Sequence, residues 1–173
     1  KAGDSNVRCF LCPHNCLIKP GNVGICKARK NVDGFLYTLN YGRISSIALD
    51  PIEKKPLKMY KPGSMILSAG TFGCNLKCSF CQNWTISQVE AETIIVPPEV
   101  LVQKAEETKK YGNIGIAYTY NEPSIWYEYV FETSKLAKEK GLDNILVTNG
   151  FIEKEPLKEL LPYIDAMNID VKS

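Results

Sequence analysis

Four apolar runs, Met65-Ile-Leu67, Ile114-Gly-Ile-Ala-Tyr118, Ile145-Leu-Val147 and Ala166-Met-Asn-Ile169, show no alternation of apolar and polar positions. Short runs without a period of two fit strands buried on both faces, as in a parallel sheet. The intervals carry helical spacing instead. Pro97-Pro98 open a helix predicted to run to Tyr111 and end at Gly112, with Leu101, Ala105 and Thr108 on one face. A second helix is predicted from Ser124 to Lys140, stopping at Gly141, with Trp126, Tyr129, Val130, Thr133, Leu136 and Ala137 inward. A third starts near Pro156 with Leu157, Leu160 and Leu161 inward. Strand and helix in alternation imply right-handed crossovers, with ligand-binding groups at the C-terminal strand ends.

The first 60 residues read differently. Phe35-Leu-Tyr-Thr-Leu39 and Ile44-Ser-Ser-Ile-Ala-Leu49 are strand-like, and Asn40-Tyr-Gly42 between them predicts the turn of a hairpin. A module that short builds little core, so a metal is the expected staple. Residues 51–64 hold Pro51, Pro56, Pro62 and Gly63 together with Lys54, Lys55, Lys58 and Lys61. That composition reads as an exposed connection, with substrate docking as the alternative. The division expected is a Cys-rich module over 1–60 and an α/β unit over 61–173.

Composition excludes little: 45% hydrophobic and 23% charged residues are ordinary for a globular chain. A net charge of +2 gives no global attraction to nucleic acid or membrane. No run spans a bilayer and no secretory leader is visible, so the cytoplasm is the expected compartment. The chain starts at Lys1 and stops at Ser173 in what reads as a strand and its following loop, so a fragment is expected, with the last strand's edge bare.

The seven cysteines change the picture. Cys74, Cys78 and Cys81 form C-x3-C-x2-C directly after an apolar run, and no cysteine follows them. Structural zinc takes four protein ligands and an ordinary [4Fe-4S] cluster four thiolates, so three thiolates leave one iron open. A zinc knuckle would need a further ligand, and the only histidine is the distant His14. Cys9, Cys12, Cys16 and Cys26 make a complete tetrathiolate without the triplet. Zinc and an auxiliary [4Fe-4S] cluster both stay open there, because soft thiolates serve either metal.

The triplet, with Phe80 just before its last Cys, resembles the cluster loop of the radical S-adenosylmethionine (radical SAM) superfamily. Cys81-Gln-Asn-Trp84, Tyr118-Thr-Tyr-Asn-Glu-Pro123, Val147-Thr-Asn-Gly150 and Asn168-Ile-Asp-Val-Lys172 follow in the order of the pyruvate formate-lyase activating-enzyme branch. Arg8-Cys-Phe-Leu-Cys-Pro-His-Asn-Cys16 and Asp50-Pro-Ile-Glu-Lys-Lys-Pro56 narrow the resemblance to the radical SAM member of the AmmeMemoRadiSam system. The resemblance implies a partial (β/α) barrel, cut here after about four β–α units.

It further implies a [4Fe-4S] cluster on Cys74, Cys78 and Cys81 whose open iron takes S-adenosylmethionine (SAM). Reductive cleavage of SAM then yields a 5′-deoxyadenosyl radical that takes hydrogen from substrate. Phe80 is placed beside the adenine, unless it and Trp84 are simply core aromatics, and Asn83 braces the loop. Glu122 binds the SAM ammonium, unless it is an ordinary helix-start carboxylate. Asn121 and Tyr120 stand where relatives have glycines. Thr148 and Asn149 lie in the third motif. Asp170 meets the ribose or amine and Lys172 the carboxylate, unless they are only a strand-end ion pair. Thr148, Asn168 and Asp170 would offer oxygens to a monovalent cation, although Val147 replaces an Asp of that branch. A flavodoxin or ferredoxin is the implied reductant, and a protein is one candidate for the unidentified substrate. The competing reading is a non-catalytic iron-sulfur carrier or zinc-bearing interaction module, which has no use for Glu122 or Lys172.

Overall fold

A computed structural model describes residues 5–89 and 91–172. The centre is a five-stranded sheet built from β6 (Ser46–Pro51), β7 (Met65–Gly70), β9 (Asn113–Tyr118), β10 (Asp143–Thr148) and β11 (Ala166–Ile169), in the order β11-β10-β9-β7-β6. Four strands, β7, β9, β10 and β11, run parallel, and β6 joins antiparallel to β7 from Ser46↔Gly70 to Pro51↔Met65. Smaller pairs are β1 (Val7–Arg8) with β2 (Leu17–Ile18), β3 (Arg29–Val32) with β4 (Phe35–Thr38), and β5 (Arg43–Ile44) with β8 (Ile94–Ile95), and a one-turn helix, α1 (Trp84–Ser87), lies between β7 and β8 in the chain.

Both sheet faces are covered, which is why the strands lack alternation. On one face Leu67, Ala69, Ile116, Tyr118 and Leu146 pack against the helices α2 (Pro98–Glu107), α3 (Tyr127–Glu139) and α4 (Lys154–Leu160). On the other, Ile66, Ala117 and Ile145 meet Ile52, with Leu57 and Tyr60 against them. Each fully buried aliphatic or aromatic side chain contributes about 1.5–3 kcal/mol. The predicted helix stops hold, as Gly112 (φ 83) and Gly141 (φ 63) lie in the left-handed region.

Three expectations are corrected. The hairpin is not Phe35–Leu39 with Ile44–Leu49. Instead β4 turns back on β3 through Asp33 (φ 51) and Gly34 (φ 89), and Ile44–Leu49 divides between β5 and β6. An Asp-Gly pair with both φ positive matches strand twist better than the later Asn-Tyr-Gly. Residues 51–64 are not simply an exposed connection, since Ile52 and Lys55 are buried and Leu57 and Tyr60 line the inner core. Leu161 faces solvent at 43% exposure, because α4 ends at Leu160 and a 3-10 turn swings the next residue outward. Among the described residues, β11 is an edge strand and no helix is long and apolar enough to cross a membrane.

Candidate active site

The segments that follow β7, β9, β10 and β11 open into one cavity of about 680 Å³. Its walls include Cys74, Cys78, Phe80, Cys81 and Asn83 after β7, Asn121 and Glu122 after β9, Thr148 and Asn149 at β10, and Asn168, Asp170 and Lys172 at β11. All eleven residues assigned to the triplet or to SAM thus reach one space.

Asparagines pin the Cys74–Cys81 loop from several sides. Asn121 Oδ1 accepts from the Thr71 amide at 3.0 Å, while its Nδ2 donates to the Gly73 carbonyl at 2.8 Å. Asn83 Nδ2 donates to the Tyr120 carbonyl at 2.7 Å, closing the loop's far end on the same segment. Asn149 Nδ2 donates to Asn75 Oδ1 at 2.9 Å, and Asn75 Nδ2 to the Phe151 carbonyl at 2.7 Å. Tyr120, at one of the glycine positions of the resemblance, still adopts φ 71.

Glu122 is 3% exposed and caps the turn Pro123–Trp126. Oε1 accepts from the Ser124 amide at 2.9 Å and from Thr148 Oγ1 at 2.5 Å, and Oε2 from the Asn149 amide at 2.8 Å. Burial pushes its carboxyl up, opposed by those hydrogen bonds. Sequence reading set ammonium binding against helix-start capping; the geometry places capping firmly and leaves Glu122 on the cavity wall. Asp170 Oδ2 accepts from Lys172 Nζ at 3.1 Å, and that Nζ lies 6.0 Å from the Phe80 ring centroid. Phe80 and Trp84 are not core aromatics, being 60% and 55% exposed. The rim sits where no apolar layer covers it.

Residues 69–173 match the radical SAM superfamily. The chain belongs to this superfamily. It is 47% identical to an uncharacterized protein of Methanocaldococcus jannaschii, over 99% of this chain and 51% of that protein. A 7-carboxy-7-deazaguanine synthase of Bacteroides thetaiotaomicron is 35% identical over 40% of this chain and 34% of its own length. The pyruvate formate-lyase-activating enzyme of Clostridium pasteurianum is 27% identical over 58% of this chain and 42% of its own. The chain therefore spans about half, or less, of these relatives.

Radical SAM membership implies SAM and a [4Fe-4S] cluster, and the residues present fit both. The triplet supplies soft donors to the cavity, and Asn168 Oδ1, at its lining, is a buried acceptor without a partner among the described residues. Among the described residues no three Cys, His, Asp or Glu side chains are drawn together closely enough to hold a metal as they stand. Burial pushes the Cys74 thiol up to about 11, only partly opposed by the Leu76 amide, so metal binding there must displace protons.

Cys9, Cys12, Cys16 and Cys26 line a second, smaller cavity with His14 and Arg29. Burial raises the thiols of Cys12 and Cys26. This Cys-rich segment docks directly on the Cys74–Cys81 loop. His14 Nε2 lies 2.7 Å from the Asn75 carbonyl oxygen and the Glu153 amide donates to the Leu11 carbonyl at 3.0 Å. Arg29 forks onto Glu128 at 2.6 and 2.8 Å.

Sequence reasoning named none of Asp50, Lys54, Lys55 and Tyr120 as a site residue, although it held substrate docking open for residues 51–64; all four line the cavity wall. The Asp50-Pro-Ile-Glu-Lys-Lys-Pro56 stretch was visible as a motif, but lysines beside prolines resemble a solvated link. Only the pairing of β6 with β7 turns that stretch toward the cavity.

Proposed function

We propose that this chain carries the cluster- and SAM-binding part of a radical SAM enzyme, an oxidoreductase related to the activating enzymes. The observation that carries the reading is the convergence of Cys74, Cys78 and Cys81 with Glu122, Asp170 and Lys172 on one cavity at the parallel strand ends. A bound [4Fe-4S] cluster and SAM would supply reductive cleavage of the S–C5′ bond, giving methionine and a 5′-deoxyadenosyl radical.

The chain's own groups bind and orient. Cys74, Cys78 and Cys81 hold the cluster, and Asn121, Asn83 and Asn149 fix their loop. Lys172 takes the SAM carboxylate and Asp170 its ribose or amine, exchanging their mutual contact for the ligand. Glu122, braced by three donors, presents its remaining acceptor capacity to the ammonium, and Asn168 Oδ1 adds another acceptor there or to a monovalent cation. Phe80 flanks the adenine. Likeness to an activating enzyme makes a protein substrate and a flavodoxin or ferredoxin reductant the favoured partners, in the cytoplasm. The test is anaerobic incubation of the whole protein with SAM and dithionite, scored for 5′-deoxyadenosine; its absence from cluster-loaded protein overturns the reading.

Glu122→Gln and Lys172→Ala each weaken SAM binding by roughly tenfold to a hundredfold, since a charge-assisted hydrogen bond contributes about 1.5–3 kcal/mol. Glu122→Gln also lowers thermal stability, because one oxygen becomes a donor facing the Asn149 amide or Thr148 hydroxyl. Anaerobic calorimetry showing unchanged affinity in both variants would return these residues to structural roles.

Cys9, Cys12, Cys16 and Cys26 hold a second metal, zinc or an auxiliary cluster, which staples a module with few buried apolar residues. Cys12→Ala removes that metal and loosens the first 60 residues, seen as loss of one metal equivalent by elemental analysis together with faster proteolysis of that region. Full metal content in the variant would refute the assignment.

A further inference from the structure

The cavity wall also carries a charged cluster, Asp50, Lys54 and Lys55 with Tyr120, that lies outside the residues assigned to the cluster and SAM. Asp50 Oδ1 accepts from Lys54 Nζ at 3.1 Å, and Oδ2 from Lys55 Nζ at 2.9 Å and from the Tyr120 hydroxyl at 2.9 Å. Lys55 Nζ also lies 4.9 Å from the Tyr120 ring centroid. The side chains of Lys55 and Asp50 are 4% and 11% exposed, whereas Lys54 is 65% exposed at the mouth.

This is an expensive arrangement if it serves only stability, since an ion pair withdrawn from water returns little net free energy. Tyr120 adds a left-handed backbone, which a non-glycine residue adopts only at a steric cost. The arrangement also has a definite chemical bias. Two ammoniums share one carboxylate, leaving a local excess of one positive charge. Asp50's oxygens are already engaged, while each lysine keeps unused N–H donors. Burial pushes the Asp50 carboxyl up, but the hydrogen bonds from Lys55, Lys54 and Tyr120 outweigh it and hold the group well below the usual carboxylate range. It therefore stays anionic and fixes the lysines in place at neutral pH. Lys172, the other cavity lysine, is matched by Asp170.

We propose that Lys54 and Lys55, anchored on Asp50 and Tyr120, form an oxyanion subsite that receives a carboxylate or phosphate group of the substrate. The proposal rests on the radical SAM reading for what else occupies the cavity. The subsite orients the substrate's reacting part toward the thiolate-lined side, and Lys54 at the mouth is the first contact.

The test uses the whole protein under anaerobic conditions without SAM, titrated calorimetrically with glutarate and, separately, inorganic phosphate at constant ionic strength. One of the two is expected to bind saturably, which tells a carboxylate from a phosphate site. Binding should weaken about tenfold or more in Lys54→Gln, which alters an exposed residue. It should also weaken in the Asp50→Asn/Lys55→Gln double variant, which leaves no orphaned buried charge. Repeating the titration with saturating SAM should give the same affinity. No saturable binding of either anion, affinity indifferent to Lys54→Gln, or displacement of the anion by SAM would each overturn the subsite. Failure of 5′-deoxyadenosine formation with anion binding intact would instead overturn only the radical SAM reading.

Discussion

Replacing Cys74, Cys78 and Cys81 together with Ala is expected to reduce 5′-deoxyadenosine formation to background and to abolish the EPR signal that SAM perturbs. The three thiols share a cavity with Glu122, Asp170 and Lys172, and they are the only cysteines of the sequence beyond Cys26. Among the described residues, no other cysteine or histidine lines that cavity. The loop's bracing lies mostly in asparagine and backbone contacts, so the variant should still fold. Iron equivalent to the second metal should stay if that metal is itself an iron-sulfur cluster. A SAM-responsive EPR signal surviving in the triple variant would sink the assignment of the triplet.

Gly73→Ala should be nearly as damaging although it removes no donor atom. Gly73 has φ 86, a region that costs an L-residue about 1–2 kcal/mol. A Cβ there would also stand 2.4 Å from the Cys26 carbonyl oxygen, and backbone at that distance has to move. The displaced strand is the Cys-rich segment on one side and the peptide leading into Cys74 on the other. The expected result is a lower unfolding temperature together with reduced iron loading at the triplet, read by thermal unfolding and iron quantification after anaerobic reconstitution. Wild-type stability and iron content would show that the two segments are not tightly seated. The Cys-rich segment touches the same region elsewhere, through His14 on Asn75, Leu11 on Glu153 and Cys26 beside Gly73.

The sequence by itself determined the parallel strands, the three helices and a set of residues that meet in one cavity. These are local matters. A strand covered on both faces must be apolar throughout, as Ile116, Ala117 and Tyr118 are, and a helix must repeat its buried positions, as Tyr129, Val130, Thr133 and Ala137 do. Ligand spacing within one loop is local as well, so the division of seven cysteines into four and three was readable. The tertiary structure alone decided which partners polar residues take. Asp50 and Lys55 became buried because β6 pairs antiparallel with β7 and closes the inner face through Ile52. Glu122 is held by Thr148 and Asn149, Asn121 by Thr71 and Gly73, and Arg29 by Glu128. Those partners lie tens of residues away, and a hydrogen bond leaves no periodic trace in sequence. Burial rewards apolar side chains wherever they fall in a repeat, whereas a charged group is tolerated inside only when the fold brings a particular partner to it.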